Sequence, residues 1–439
     1  MKSTEIPGSA GHPEIPAGRF NTLKEWLDWQ ETLHFTSIEL GLDRCREVAG
    51  RMHLLPMPCF VISVAGTNGK GSTAVMLHNI LCAAGYRVGL YTSPHLLRYN
   101  ERIRIDGTVI DDATLCQTFD RIDKARGATS LTYFEFGTLA ALDIFRNRKV
   151  DIAVLEVGMG GRLDAVNMVD ADIAILCTVD IDHEQWLGYD RESIGKEKAG
   201  IFRPQRPAVC ADPDPPQSVV KAADDMGARL LRAGIDYTFD KGQDGWSWQS
   251  GPVSLPQLPY PGDQHYQAAN AAGVLMVLQS MADRFPVPEK VLASALADFK
   301  LPGRFQPIQA EVSTIIDVAH NRQSAAMLAA NIRALPKTGR IHLVLGMLKD
   351  KNHAAFLKEL SDCVDEWYLC TLDNTRGSSA AELAVYAGPW VGKSTVGMYD
   401  NVPAAIEAAR SVAAAGDRII ITGSFVTAAI AMHYLGVKI

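Results

Sequence analysis

The sequence predicts an α/β protein with a mainly parallel sheet in a large N-terminal domain and a smaller α/β domain at the C-terminal end. Short apolar runs of strand length alternate with helical patterns from residue 60 onward. A glycine-rich loop joins the first of these runs to a helix, and a second series of strands and helices begins after residue 304. Strands that alternate with helices form mainly parallel sheets covered on both faces, so the pattern predicts two such units.

The first 60 residues are predicted to contain a lead followed by two helices. Residues 1–20 are rich in proline, glycine and serine, and we interpret them as a disordered lead. Thr22 and Glu25 have the spacing of a capping box, and apolar residues follow at helical intervals, so a helix begins near Thr22. A second helix is predicted over 42–55 and is closed by Pro56.

The strands of the N-terminal domain are predicted from short apolar runs. They lie at 60–64, 88–92, 152–157 and 173–179. Residues 203–265 contain many prolines and glycines, and we interpret them as peripheral, with hairpins or loops over 241–251. A helix returns at 267–281.

A linker that ends at Arg304 separates the two predicted domains. Beyond it, strands alternate with helices, and one of these helices follows Asn321. The predicted strands are 314–318, 342–346, 367–371 and 418–422. We therefore divide the chain into 1–20, 21–303 and 304–439, with a Rossmann-like α/β unit at the C-terminal end.

Composition excludes some classes of function. The chain has 439 residues, with 43 basic and 50 acidic side chains and a formal net charge of −7, which lacks the broad basic surface of a duplex nucleic-acid binder. Eight cysteines are scattered without a CxxC pair, which favours buried thiols in a reducing compartment over a zinc site or a disulfide framework. Neither a secretory signal nor an apolar run of membrane-spanning length is evident. We therefore expect a cytoplasmic protein without nucleic-acid or membrane partners, and a monomer, because no repeat or coiled coil requires an oligomer.

The strongest motif is a glycine-rich loop between a predicted strand and a predicted helix. Glycines let backbone N–H groups converge on phosphate oxygens, and the helix N-terminus adds positive potential. Val64 stands where the general phosphate-loop pattern has a glycine, and Gly71 stands where it has serine or threonine. The strand–loop–helix context nevertheless predicts a P-loop ATPase domain. The residues predicted to bind ATP here are Thr67, Asn68, Gly69, Lys70, Gly71, Ser72 and Thr73.

Further motifs follow this loop along residues 91–325. They are Ser93-Pro94-His95, Glu156-Val157-Gly158-Met159-Gly160-Gly161, Asp182-His183, Lys196-Glu197-Lys198-Ala199-Gly200, Leu301-Pro302-Gly303-Arg304 and Asp317-Val318-Ala319-His320-Asn321. Together with the loop, they resemble the Mur ligase superfamily, and more closely the dihydrofolate synthase/folylpolyglutamate synthase family. The remaining C-terminal unit fits the second domain of that family but carries no equally sharp motif.

The resemblance implies two Mg²⁺ sites at the carboxyl edge of the sheet. It assigns Ser93 and Glu156 to the ion that bridges the ATP phosphates, and His183 to a second ion. Lys198 matches the carbamylated lysine of the family, whose neutral amine captures CO₂ and becomes an oxygen donor. By residue type alone, Ser93 would be a turn residue, His183 a structural histidine and Lys198 a solvated helix residue. The implied catalytic residues are Lys70, Glu156, His183 and Lys198.

Three residues outside the loop are implied to bind ATP. Asn270 resembles an adenine-nucleotide contact, although from sequence alone it is an ordinary helix residue. Arg304 matches a phosphate-binding arginine, and Asp317 matches the position that binds the ribose. His320 and Asn321 are expected to cap the next helix. Because Arg304 and Asp317 flank the linker, we expect both domains to contact ATP. Closure of the two domains around ATP would exclude water from the site.

Three segments resemble the dihydropteroate-binding segments of the bacterial bifunctional enzymes. Periodicity alone would equally fit core helix or strand. The residues implied to bind this substrate are Thr32, Leu33, His34, Phe35, Thr132, Tyr133, Phe134, Glu135, Leu163, Asp164 and Ala165.

The resemblance implies an ATP-dependent acid–amino-acid ligase that uses ATP and Mg²⁺. Such an enzyme adds L-glutamate to dihydropteroate, giving dihydrofolate, and to folates, through an acyl-phosphate. One alternative is a Mur-type cell-wall amide ligase that acts on a UDP-sugar acid, which the dihydropteroate-like segments argue against. Another is a non-catalytic P-loop nucleotide-binding regulator, which would leave Glu156, His183 and Lys198 without a role.

Overall fold

The computed structural model describes residues 18–36, 38–391 and 395–437. Within them, a large sheet and a small antiparallel sheet are followed by a second large sheet, and helices pack against both large sheets. The predicted fold class is therefore confirmed. Residues 1–17, most of the predicted disordered lead, lie outside the described residues.

The first sheet is mainly parallel. Its strands are β1 (Phe60–Ala65), β2 (Val88–Tyr91), β3 (Ile103–Ile105), β4 (Thr108–Val109), β5 (Ile152–Glu156), β6 (Ile173–Leu176), β7 (Pro207–Cys210) and β8 (Arg229–Arg232). Their order is β4-β3-β2-β5-β1-β6-β7-β8, and only the pairs β2–β3 and β3–β4 are antiparallel. The four predicted strands correspond to β1, β2, β5 and β6. The interpretation of 203–265 as peripheral is wrong for its first half, because the short runs among its prolines are β7 and β8, which extend the sheet.

Helices cover both faces of this sheet. They are α1 (Leu23–Leu33), α2 (Asp43–Arg51), α3 (Lys70–Ala83), α4 (Asp112–Arg126), α5 (Tyr133–Arg148), α6 (Glu184–Leu187), α7 (Arg191–Ala199), α8 (Gln217–Met226), α9 (Ala268–Ser280) and α10 (Glu289–Ala297). The predicted capping box at Thr22 and Glu25 is present at the start of α1. The buried residues of α3 and α9 form the core on one face, and those of α4 and α5 form it on the other.

The second half of 203–265 forms an antiparallel sheet. Its strands are β9 (Thr238–Lys241), β10 (Trp246–Ser250) and β11 (Val253–Leu258). They confirm the predicted hairpins. Trp246 and Trp248 are almost fully buried in the core shared with α3 and α9, and the Trp248 indole donates to the carbonyl of Ala272. This sheet is therefore a packed layer.

The second large sheet forms the Rossmann-like unit. Its strands are β12 (Gln306–Ile308), β13 (Ser313–Ile316), β14 (Ile341–Leu345), β15 (Glu366–Cys370), β16 (Thr395–Tyr399) and β17 (Arg418–Thr422), and its helices are α11 (Arg322–Ala334), α12 (His353–Leu360), α13 (Ala380–Ala387), α14 (Val402–Val412) and α15 (Phe425–Tyr434). The order is β12-β13-β17-β14-β15-β16, and only the β12–β13 pair is antiparallel. The edge strands β12 and β16 were not predicted, because β12 contains Pro307 and β16 lacks a long apolar run. The predicted boundary at 303 and 304 lies between α10 and β12 and stays a prediction.

Parallel pairing positions the site. Strand β1 pairs in parallel with both β5 and β6, so the carboxyl ends of these three strands meet at one edge. No helix in the described part of the chain has the length and apolar character needed to cross a membrane.

Candidate active site

The glycine loop connects the carboxyl end of β1 to the first turn of α3. Gly66 and Gly69 have φ angles of 150° and 86°, which residues with a Cβ rarely adopt. A Cβ on Gly69 would also lie 2.5 Å from Asn270 Oδ1. Lys70 begins α3, and its Nζ donates to the carbonyl oxygens of Gly66 (3.0 Å) and Thr67 (3.1 Å). The loop therefore has the geometry of an anion cradle.

Several residues of the predicted ATP loop hydrogen-bond with residues outside the loop, and Asn68 and Thr73 are two of them. The Asn68 side chain lines the cavity, but its amide donates to Asn321 Oδ1 (3.1 Å) and Gln323 Oε1 (2.6 Å) in the Rossmann-like unit. Thr73 is buried, and its hydroxyl accepts a hydrogen bond from the Cys177 thiol (3.3 Å). Thr73 does not line the cavity, and its contact with ATP stays a prediction.

Glu156 ends β5 beside this loop and is 3% exposed. Its Oε2 accepts a hydrogen bond from the backbone N–H of Ser93 (3.0 Å). Burial raises the pKa of Glu156 to about 7, although the charge of Lys70 favours the ionised form. A divalent cation bound beside Glu156 would stabilise the ionised form of this buried carboxyl group.

His183 follows β6 at the same edge, and burial lowers the pKa of its imidazole to about 3. The ring is therefore neutral near pH 7, which is the form that binds metals. The preceding Asp182 accepts hydrogen bonds from His183 N (2.8 Å), Lys351 Nζ (2.6 Å) and Asn321 Nδ2 (2.9 Å). Although burial opposes its charge, His320 and Lys351 hold the pKa of Asp182 well below its usual range.

Lys198 lies on α7 behind the loop and not on the cavity wall. Its Nζ donates to the carbonyl of Gly66 (2.9 Å), and the residue is 3% exposed. Burial, with repulsion from Lys70, lowers the pKa of Lys198 to about 7. About half of the amine is neutral at that pH, and the neutral amine is the form that reacts with CO₂. The carbamylation of Lys198 stays a prediction.

The three other predicted ATP residues, Asn270, Arg304 and Asp317, line the same cavity. The carboxylate of Asp317 accepts hydrogen bonds from the backbone N–H groups of Phe305 and Ala319, both at 2.7 Å. Asp317 thus also fixes the linker that carries Arg304. The predicted helix cap is present one turn later, where Asn321 is the N-cap of α11.

A cavity of about 900 Å³ joins these groups, a size suited to a bound small molecule. It extends from the glycine loop to the N-termini of α5, α11 and α15. The predicted site residues on its wall are Thr67, Asn68, Gly69, Lys70, Gly71, Ser72, Ser93, Thr132, Tyr133, Phe134, Glu135, Glu156, Leu163, Asp164, Ala165, His183, Asn270, Arg304 and Asp317.

The predicted acid-substrate side of this cavity starts at the N-terminus of α5. Thr132 is the N-cap and forms a capping box with Glu135, whose buried carboxylate also pairs with Arg44 at 2.9 Å. A Cβ on Gly158 would lie 2.6 Å from the Phe134 ring, so the glycine makes room for that ring. These contacts fix the shape of the wall.

Asp164 contributes a buried acceptor to the same wall. Its carboxylate accepts hydrogen bonds from Met159 N (2.9 Å) and Val166 N (3.0 Å). Burial raises the pKa of Asp164 to about 6, although the backbone N–H groups and the charge of Lys70 favour the ionised form. The remaining lone pairs suit a ligand with N–H donors.

One predicted substrate segment does not reach the cavity wall. The residues concerned are Thr32, Leu33, His34 and Phe35. His34 is buried between Ser130 Oγ (2.6 Å) and Glu39 Oε2 (2.7 Å), and Phe35 is 84% exposed. Because α1 ends at Leu33 and the chain then turns, residues 38–41 form this part of the wall instead.

Several wall residues were not predicted. Lys351, Arg376 and Gln323 come from the Rossmann-like unit, and Arg104 comes from β3. None of them lies in a glycine-rich motif. The carboxyl-edge rule, applied to β14, is the one signal that could have indicated Lys351.

The donor chemistry fits Mg²⁺. Among the described residues, no three His, Cys, Asp or Glu side chains form a metal cage. Mg²⁺ usually keeps water and binds one or two carboxylates with substrate phosphates, so a cage is not required. Glu156 and Ser93 fit one such ion, and neutral His183 with an oxygen donor on Lys198 fits a second.

Comparison with known proteins identifies the family. The Mur ligase middle domain matches residues 64–245, and the Mur ligase glutamate ligase domain matches residues 303–425. The dihydrofolate synthase/folylpolyglutamate synthase of Escherichia coli strain K12 is 43% identical over 95% of this chain and 96% of its own length. The chain belongs to the dihydrofolate synthase/folylpolyglutamate synthase family. The predicted family and the predicted enzyme class, an ATP-dependent glutamate ligase, are confirmed.

Solved dihydrofolate synthase/folylpolyglutamate synthase structures share the whole fold. E. coli FolC in complex with DHPP and ADP has a TM-score of 0.90 and 42% identity, covering 97% of this chain and 99% of that chain. A bifunctional folylpolyglutamate synthase/dihydrofolate synthase with Mn, AMPPNP and L-glutamate bound has a TM-score of 0.88 and 43% identity, covering 96% and 100%. Members of the family thus bind adenine nucleotides, in one case together with Mn.

Proposed function

We propose that this chain adds L-glutamate both to dihydropteroate and to folates, and that each addition passes through an acyl-phosphate. The observation that carries the proposal is the single cavity that joins the phosphate loop to the wall around Phe134 and Asp164. A nucleotide at Lys70 and an acid anchored at that wall would meet at Glu156 and Ser93. Relatives of the same family bind DHPP, ADP, AMPPNP and L-glutamate, which supports these substrates.

The acid carboxylate attacks the γ-phosphorus of ATP, and ADP leaves. The amine of L-glutamate then attacks the acyl carbon, and phosphate leaves as the amide forms. The loop N–H groups and Lys70 hold the triphosphate, and Arg304 binds its oxygens from the linker. Two Mg²⁺ ions, at Ser93 with Glu156 and at His183 with carbamylated Lys198, would neutralise the repulsion between the two anions.

The two units, 21–303 and 304–439, together enclose the nucleotide. Asn270 binds from α9, and Asp317 binds from the end of β13. Enclosure protects the acyl-phosphate from water. We further propose that the protein acts as a cytoplasmic monomer on small molecules, which light scattering of the purified protein would test.

Product analysis tests the function. The protein is incubated with ATP, Mg²⁺, L-glutamate and either dihydropteroate or tetrahydrofolate. The masses of the products are then measured by mass spectrometry. We expect one added glutamyl group on dihydropteroate and further groups on tetrahydrofolate. A UDP-sugar acid is the matched competitor. Ligation of that acid alone, or phosphate release without any acid, would contradict the proposal.

A further inference from the structure

Arg104 is a cation on the cavity wall that pairs with none of the residues that the structure describes. The lysines and arginines on the wall are Lys70, Arg102, Arg104, Arg304, Lys351 and Arg376. Each of the other five hydrogen-bonds with a described residue. Arg104 forms no hydrogen bond or ion pair with any residue that the structure describes, and its Nε is buried without a partner. Buried donors in proteins are almost always paired, so this one indicates a place for a ligand's acceptor.

The position of Arg104 separates it from the phosphate cradle. It lies on β3 opposite Leu90 of β2, three residues before Ser93. At about 3.3 Å per residue, three residues span at most roughly 10 Å, which limits the separation of Leu90 and Ser93 along the chain. Val75, one helical turn beyond Gly71 on α3, lies on the same wall. Arg104 therefore lies beside the body of α3, to one side of the reacting groups.

The two acids of the proposed function differ in charge. Dihydropteroate has a single carboxylate, which is the group that reacts. A folate reacts through the γ-carboxylate of a glutamyl group already attached, so it also carries an α-carboxylate three carbons away. With the reacting carboxylate at Ser93 and Glu156, a long arginine side chain could meet that second charge.

We propose that Arg104 binds the α-carboxylate of the terminal glutamyl group of a folate substrate, and thereby determines how well folates compete with dihydropteroate. This inference rests on the proposed function, because both acids must be substrates. A guanidinium binds a carboxylate through two parallel N–H bonds, which gives direction as well as charge.

The test compares Arg104→Met with Arg87→Met, an exposed arginine near β2 that does not line the cavity. We expect Arg104→Met to raise KM for tetrahydrofolate about tenfold or more, the loss of one charge-assisted bond. KM for dihydropteroate and for ATP should stay at the level of the Arg87→Met control. A tetrahydrofolate α-carboxamide lacks the charge of the α-carboxylate. Its KM with the unmodified protein should be raised to the same extent, and Arg104→Met should raise that KM no further.

An equal change for both acids, or no change for either, would overturn the inference. If Arg104→Met lowers the melting temperature, Arg104→Lys and Arg104→Gln are compared instead. Arg104→Lys keeps a positive charge, so its KM for tetrahydrofolate should rise less than that of Arg104→Gln. If the unmodified protein ligates neither acid, the proposed function fails, and the inference fails with it. If only the inference fails, the protein ligates both acids, and its selectivity between tetrahydrofolate and dihydropteroate does not depend on Arg104.

Discussion

Lys351 Nζ lies 2.6 Å from Asp182 Oδ1 and joins the loop after β14 to the loop after β6. The two side chains are 6% and 8% exposed. Asn321 also donates to Asp182, and it exchanges hydrogen bonds with Asn68 of the glycine loop. A buried charge without its partner is costly, so this pair couples the position of the Rossmann-like unit to the nucleotide site.

Lys351→Met should loosen the contact between the two units. The ion pair is buried, and loss of one partner of such a pair costs about 3–5 kcal/mol. We expect a larger radius of gyration in X-ray scattering and a KM for ATP raised about tenfold or more, since tenfold corresponds to about 1.4 kcal/mol. The exposed Lys349→Met is the matched control. Identical scattering and kinetics for the two variants would remove Lys351 from this role.

Lys70→Ala should strongly reduce ATP-dependent ligation and leave the fold intact. The Lys70 ammonium donates to two loop carbonyls and to no side chain among the described residues, so the melting temperature should change little. Loss of a charged donor at a transferring group lowers kcat about 10²–10³-fold. Turnover assays and thermal melting check both parts, and an unchanged rate would exclude Lys70 from the mechanism.

Lys198 should carry a carbamate in a pH-dependent way. Its pKa is lowered to about 7, so the reactive neutral amine prevails above pH 7 and is lost as the pH falls below it. Carbon NMR with labelled bicarbonate should show a carbamate signal at pH 8 that weakens at pH 6. The exposed Lys196→Ala is the control. A signal that survives Lys198→Ala, or disappears in Lys196→Ala, would refute the assignment.

Glu156→Gln should stabilise the ligand-free protein at pH 8 and not at pH 5. The folded pKa is raised from 4.5 to about 7, so wild-type stability falls as the pH rises through this interval and is level above it. The shift corresponds to about 3 kcal/mol at most. Urea unfolding at both pH values measures the gain, with exposed Glu31→Gln on α1 as control. An equal gain at both pH values would contradict the assigned pKa, and ligation should be lost in Glu156→Gln.

Gly158→Ala should weaken acid binding and leave nucleotide binding unchanged. The added methyl would meet the Phe134 ring at 2.6 Å and displace it from the wall. Overpacking of this kind costs about 1–3 kcal/mol, so KM for dihydropteroate should rise about tenfold. Gly50→Ala on α2, where a Cβ meets nothing within 4 Å, is the matched control. A larger effect on ATP than on the acid would contradict this view of the wall.

Sequence patterns located most of the site because its chemistry lies where strands end. Short apolar runs that can be recognised in the sequence precede three parts of the site. These are the loop after β1, Glu156 at the end of β5 and His183 after β6. Parallel strands bring their carboxyl ends to one edge, so these groups were expected to meet. The loop motif and the family resemblance indicated Thr73 and residues 32–35, which do not line the cavity. Their positions could not be predicted, because the rotation of a helix and the path of a turn depend on packing.

The sequence by itself predicted the two α/β units, the glycine loop and the acid at the end of β5, because backbone preferences and strand ends are local properties. The roles of His183 and Lys198 came from the resemblance to a known family. Only the tertiary structure decided that Lys351 meets Asp182, 169 residues away, and that Arg104 is left unpaired among the described residues. It also set the lowered pKa of Lys198, since burial is a property of the neighbours that surround a side chain and not of the segment that carries it.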